Sequence, residues 1–273
     1  MLLTVQGQPA YCYTGGKNFD ATLPTVVFIH GAQNDHSVWG LQTRYFAHHG
    51  FGVLAVDLPG HGRSKGDALT SVEDMADWLL ALLDAAGVTV ATMIGHSMGS
   101  LIALEASRRA PERVTRLALV GTAYPMKVSA MLLDAARDAT DEAIDMVTIW
   151  SHSTLAPKPS FPGPGFSAIG GNQRLMQRIA QQNPQKVFYI DFSACNAYAG
   201  GELAAAAVQC PTLFLLGRRD VMTPPKACAV LTKAISHARV VTLEHCGHQL
   251  MAEQPDAVLD TLFSFATPHM LAY

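Results

Sequence analysis

A serine set between two glycines, Gly95-His96-Ser97-Met98-Gly99, carries the strongest chemical signal in this sequence. The apolar run Val90-Ala91-Thr92-Met93-Ile94 precedes it, and a helical pattern from Ser97 to Ala110, stopped by Pro111, follows it. A strand that turns sharply into a helix needs neighbours without side chains, and it leaves the serine hydroxyl exposed in a strained turn. A hydroxyl is a weak nucleophile until a positioned base takes its proton. Of the 11 histidines, His248 is the best placed base. It stands in Glu244-His245-Cys246-Gly247-His248, in a loop after the last apolar run and before a helix starting near Gln254. His245 lies closer to the strand end and reads as a surface or core residue. The base in turn needs a carboxylate to hold its tautomer and stabilise the imidazolium. Asp220, in Leu216-Gly217-Arg218-Arg219-Asp220, directly follows the preceding apolar run and suits that role.

Charge that develops on a carbonyl oxygen must be met by backbone N–H groups aimed at it. Met98, the residue after the serine, supplies one. The other is expected from the loop His30-Gly31-Ala32-Gln33, with Ala32 as the donor and His30 shaping the loop. No metal or nucleotide cofactor is expected. His48 and His49 are adjacent and would point to different faces of a helix, and no G-x-G-x-x-G follows a strand.

The elements that must hold these residues read as strands alternating with helices. Val26 to Ile29, Val53 to Val56, Val90 to Ile94, Leu117 to Val120, Thr212 to Leu216 and Val240 to Leu243 are continuous apolar runs. Strands buried on both faces of a parallel sheet have this pattern. Leu2 to Gln6 and Ala10 to Thr14 read as an edge hairpin with a Gly7-Gln8-Pro9 turn. Thr70 and Glu73 suggest a capping box ahead of a helix that Gly87 ends. The alternation predicts a doubly wound α/β sheet.

One stretch breaks the rhythm. Between Val120 and Thr212 the spacing predicts helices near 127–138, 141–150, 173–181 and 184–198, and no strand. Pro157, Pro159, Pro162 and Pro164 divide them with a loop that cannot continue a helix. A helical insertion at this place looks like a lid. Its apolar side chains read mainly as lid core, while Phe161, Phe166 and Trp150 are candidates to face a substrate.

Composition closes off other classes. With 49% hydrophobic and 15% charged residues, the chain buries too much apolar surface to be disordered. A formal net charge of -3 gives no basic footprint for nucleic acid. No apolar run of about 18 residues is present to span a membrane, and the first residues lack the pattern of a signal peptide. Five scattered cysteines without a C-x-x-C fit free thiols in a reducing compartment. The expectation is a compact cytoplasmic protein whose partner is a small-molecule substrate, not nucleic acid or membrane.

Taken in order, His30-Gly31, Asp57-Leu58-Pro59-Gly60-His61-Gly62-Arg63-Ser64, the Gly95 to Gly99 turn, Gly217 to Asp220 and Gly247-His248 resemble the α/β-hydrolase superfamily, in its lidded, esterase-like branch. The likeness covers nearly the whole chain. It implies a mostly parallel eight-stranded sheet, with a core of residues 1–121 and 208–273 and a helical cap of residues 122–207 inserted after the sixth strand. Ser97, Asp220, His248 is the chain order of that family's triad. The Asp57 to Ser64 loop is structural in the family, which sets Asp57 and His61 aside. Some relatives carry the acid after the sixth strand, but Gly121-Thr122-Ala123 offers none. Haloalkane dehalogenases and epoxide hydrolases resembling this branch use an aspartate where Ser97 stands. The resemblance implies a serine hydrolase that cleaves a carboxylic ester of a small to medium, partly apolar substrate through an acyl-enzyme. The alternatives are a carbon–carbon hydrolase of ring-fission products, disfavoured by His96 where those relatives usually carry Asn, and a cofactor-free haloperoxidase or acyltransferase with the same triad.

Overall fold

The structure, a computed structural model, describes residues 1–155 and 167–267. Four strands come first: β1 (Leu2–Val5), β2 (Gln8–Tyr13), β3 (Thr25–Ile29) and β4 (Gly52–Val56). β5 (Ala91–His96), β6 (Val114–Val120), β7 (Thr212–Gly217) and β8 (Arg239–Leu243) complete an eight-stranded sheet in the order β1-β2-β4-β3-β5-β6-β7-β8. β1 and β2 join by antiparallel pairing, and every pair from β4 to β8 is parallel.

Side chains along the central strands alternate between two cores, as a period of two requires. Val27, Ile29, Leu117 and Leu119 enter one, with the helices α2 (Val72–Ala85) and α3 (Met98–Arg109). Val26, Phe28, Ala118 and Val120 enter the other, against α1 (Gly40–His48) and α11 (Pro255–Ala266). Both faces are covered, so the strands read as unbroken apolar runs. Each fully buried Leu, Ile or Phe adds about 1.5–3 kcal/mol of burial.

Two local expectations are corrected. The β1–β2 turn is Gln6-Gly7, both with positive φ (49° and 79°), and Val5 pairs with Gln8, so Pro9 belongs to the strand. Pro is tolerated there because β2 pairs β4 only at Cys12 and Tyr13, so Pro9 has no strand on its far side to which it would have to donate. The cap of α2 is Ser71, whose side chain accepts from Asp74 N, and not Thr70.

Among the described residues, five helices stand between β6 and β7: α4 (Ala130–Asp138), α5 (Thr140–Trp150), α6 (Ala168–Gln182), α7 (Val187–Ala197) and α8 (Gly201–Ala207). Leu132, Ile144, Val147, Met176, Phe188 and Phe192 give α4 to α7 a core of their own. α4 begins at Ala130 because Ser129 caps it, and α6 begins at Ala168 because Ser167 caps it. α7 starts after Pro184, since Lys186 takes a left-handed φ of 56°. The alanine-rich α8 has too little apolar periodicity to be anticipated. Among the described residues, the short α9 (Ala229–Ala234) and α10 (Leu250–Glu253) are the remaining α-helices. No helix of the described residues is long and apolar enough to cross a membrane.

Candidate active site

β5 delivers Ser97 into a strained turn, with φ 53° and ψ -120°, and α3 starts at the next residue. The flanking glycines are required by space. A Cβ on Gly95 would stand 2.1 Å from the Gly99 carbonyl oxygen, and one on Gly99 would stand 2.4 Å from the Ile29 carbonyl oxygen. Any side chain at either position would force strand and helix apart.

The loops after β7 and β8 bring Asp220 and His248 together. His248 Nδ1 lies 2.8 Å from Asp220 Oδ2, with both side chains buried. The other carboxylate oxygen, Oδ1, accepts from the backbone N–H of Met222 (2.9 Å) and Thr223 (2.8 Å). Burial alone would raise the Asp220 pKa, but His248 and the Thr223 hydrogen bonds outweigh it and hold the carboxyl below the usual carboxylate range. Nδ1 therefore faces an ionised acid, and Nε2 is the ring nitrogen with no described hydrogen bond.

The loop after β3 prepares a second group. His30 Nε2 accepts from Leu58 N at 3.2 Å, so the ring carries its proton on Nδ1, which donates to Gly31 O at 2.8 Å. Burial, with His61 nearby, pushes the His30 pKa down to about 4, so the ring is neutral and acts as a brace. A trans peptide points its N–H opposite its C=O. Tying Gly31 O to His30 thus aims Ala32 N–H the other way. Neither Ala32 N nor Met98 N donates to a described backbone acceptor. Met98 opens α3, where the first N–H groups lack intrahelical partners and the helix dipole favours negative charge.

Comparison with known proteins agrees with this architecture. Residues 24–255 match the family described as alpha/beta hydrolase fold. The chain belongs to that family. Among its relatives, the (E)-2-((N-methylformamido)methylene)succinate hydrolase of Acinetobacter baylyi is 25% identical over 85% of this chain and 86% of its own length. An sn-1-specific diacylglycerol lipase of Mus musculus is 26% identical over 90% of this chain and 82% of its own. The solved esterase of Exiguobacterium antarcticum superposes with a TM-score of 0.83 over 97% of this chain and 98% of its own. At 17% identity that last likeness speaks for the fold alone.

In this α/β-hydrolase, a cavity of about 230 Å³ is bordered on one side by Ala32, Ser97, Thr223 and His248. From the inserted helices, Leu132, Trp150, Phe192 and Cys195 border it. A larger cavity of about 660 Å³ lies between α6 and residues of α10, but neither Ser97 nor His248 reaches it. Ser97 and His248 border the smaller one together. Cys195 is no rival nucleophile: burial, reinforced by the Asp191 charge, raises its thiol pKa, and a thiol is unreactive until ionised. Phe161 and Phe166 lie outside the described residues.

The residues set aside on sequence grounds are held in structural bonds. Asp57 accepts from His36 N and Arg63 N, tying two loops. Asp35, His36 and Asp57 stand close enough to share an ion. The Asp35 oxygens already accept from Ser37 and Arg178, and those of Asp57 from His36 and Arg63. Sequence reasoning missed three supports of the site. Thr223 Oγ touches Asp220 Oδ2 (2.7 Å) and His248 Nδ1 (3.0 Å). Glu253 accepts from Gly247 N at 2.7 Å and so anchors the loop of His248. His96 bonds the His248 carbonyl. A threonine and a glutamate in isolation carry no periodic or motif signal, and the position of His96 in the turn does not show which carbonyl it meets, so only the folded arrangement exposes these bonds.

Proposed function

We propose that this protein is a serine hydrolase of carboxylic esters, with residues 122–207 serving as a cap over a core of residues 1–121 and 208–273. The observation that carries the reading is the 2.8 Å bond between His248 and Asp220 at the wall of a cavity that Ser97 also borders. The likeness to a diacylglycerol lipase supports ester chemistry.

Ser97 Oγ attacks the ester carbonyl carbon while His248 Nε2 takes the hydroxyl proton. Asp220 stabilises the imidazolium and keeps its proton on Nδ1. The carbonyl oxygen becomes an oxyanion, met by Ala32 N–H and Met98 N–H. As the carbon–oxygen bond to the alcohol breaks, the imidazolium hands its proton to the leaving oxygen. Water then attacks the acyl-enzyme, gives its proton to Nε2, and the acid leaves as Oγ regains the proton. Every step draws on groups of this chain. The apolar walls from Leu132, Trp150 and Phe192 suit an acyl or alcohol group of modest size.

A fluorophosphonate should label the protein once, at Ser97, and Ser97→Ala should abolish both labelling and turnover of p-nitrophenyl butyrate. Turnover well above background in a folded Ser97→Ala variant would overturn the assignment.

A further inference from the structure

The loop that carries Ala32 does not hold its shape unaided. Gln33 has a left-handed φ of 55°, a conformation that costs a non-glycine residue energy unless its surroundings impose it. Two groups impose it, and both come from the inserted helices. Asp191 Oδ2, on α7, accepts Gln33 N–H at 2.8 Å. The Met176 carbonyl, on α6, accepts from Gln33 Nε2 at 3.0 Å. On the opposite edge of the same Ala32–Gln33 peptide, Asn34 Nδ2 donates to Ala32 O at 3.0 Å. That peptide is therefore clamped from both sides, and the next one back bears Ala32 N–H.

Asp191 is itself held. Its Oδ2 also faces His61 Nε2 at 2.9 Å, while His61 Nδ1 donates to Pro59 O at 3.0 Å. With both ring nitrogens facing acceptors, His61 is an imidazolium. Burial opposes that charge, but Asp191 and the Pro59 carbonyl outweigh it and raise the His61 pKa. Asp191 Oδ1 has no partner among the described residues although Asp191 is wholly buried. A buried pair with an orphaned oxygen is a poor source of stability, because desolvation consumes the Coulomb gain. Its geometry points to another task.

We infer that Asp191 is a positioning residue that completes the oxyanion hole from the cap, fixing the Gln33 backbone so that Ala32 N–H stays aimed beside Ser97. This rests on the ester-hydrolase reading given above. The cap thereby shapes catalytic power as well as substrate access.

The test compares Asp191→Ala, which removes the acceptor, with Asp191→Asn, whose amide oxygen can still accept from Gln33 N–H. Wild-type enzyme must first be labelled by a fluorophosphonate; if it is not, the hydrolase reading itself fails. With p-nitrophenyl acetate, Asp191→Ala should lose about 10²-fold in kcat, the scale of one lost oxyanion donor, with KM changing less than about threefold. Phenylboronic acid, which mimics the tetrahedral state, should weaken in step. Asp191→Asn, whose neutral amide oxygen accepts more weakly than the carboxylate, should recover most of kcat yet stay about two- to tenfold below wild type. A folded Asp191→Ala variant with wild-type kcat overturns the inference, as does a loss confined to KM. If Asp191→Ala does not fold, Asp191→Asn decides: a kcat lowered severalfold at constant KM upholds the inference, and an unchanged kcat and boronate affinity overturn it.

Discussion

His96 Nε2 lies 2.9 Å from the carbonyl oxygen of His248, so the residue before the serine suspends the loop that bears the imidazole. The two rings lie 4.8 Å apart. Burial, aided by the neighbouring His248, pushes the His96 pKa down to about 3, so His96 is neutral at every working pH. A neutral ring donating through Nε2 leaves Nδ1 bare, and that atom is buried without a described partner. This arrangement links β5 to the loop after β8 through one bond.

His96→Ala should therefore lower kcat by about 10–100-fold while leaving KM nearly unchanged. It should also destabilise the fold by about 1–3 kcal/mol, because the His248 carbonyl loses its buried donor. Since His96 does not titrate above about pH 4, the kcat deficit should be constant from pH 6 to 9. Steady-state kinetics across that range and urea unfolding check both parts. Wild-type kcat in the variant would show that the loop needs no such suspension.

Asp220→Asn should reduce kcat by about 10⁴-fold, as when the acid that fixes a catalytic histidine's tautomer is neutralised. Its stability effect has a definite sign with pH. The native pKa is depressed, so the charged form's stabilisation is complete above the unfolded value of about 3.9 and is lost as pH falls through the native value. The stability gap between wild type and variant should stay flat from about pH 5 to 8 and narrow below pH 4. Urea midpoints at several pH values measure it, and a gap that widens on acidification contradicts the assignment.

The two histidines of the β8 loop should separate cleanly. His248 is buried at the cavity wall, whereas His245 is exposed in a left-handed backbone conformation and does not border it. His248→Ala should lose about 10⁴-fold or more in kcat. His245→Ala should keep at least half of it. The reverse pattern would move the base.

Substrate size should be read by Trp150. It closes α5 and borders the 230 Å³ cavity beside Phe192. Trp150→Ala should shift the preference from butyrate toward octanoate p-nitrophenyl esters by about tenfold, near 1.4 kcal/mol. The acetate rate should move much less. Equal slowing of all three esters would make Trp150 a support of the insertion and no part of the pocket.

Much of the fold was legible because local rules and global packing agree in the sheet. Val26 to Ile29 is apolar at every position, and the structure sends alternate residues to two separate cores. Where signals were weaker, boundaries moved. Pro9 is a common turn residue, but the left-handed Gln6 and Gly7 make the turn instead. Thr70 matched a cap pattern that Ser71 fulfils. Side-chain capping depends on φ and ψ, which a residue type only biases.

The sequence by itself determined the Ser97 turn, through glycines that alone let β5 and α3 cross, and it placed Ser97, Asp220 and His248 at the ends of apolar strands. Those choices are local, so a linear string can hold them. Only the tertiary structure decided how Asp191 reaches Gln33 across residues far apart in the chain, how His96 finds the His248 carbonyl, and which cavity the inserted helices enclose. Hydrogen bonds form between groups within about 3 Å. Such nearness across the chain arises only when the sheet stacks its loops at one edge and the inserted helices pack over them.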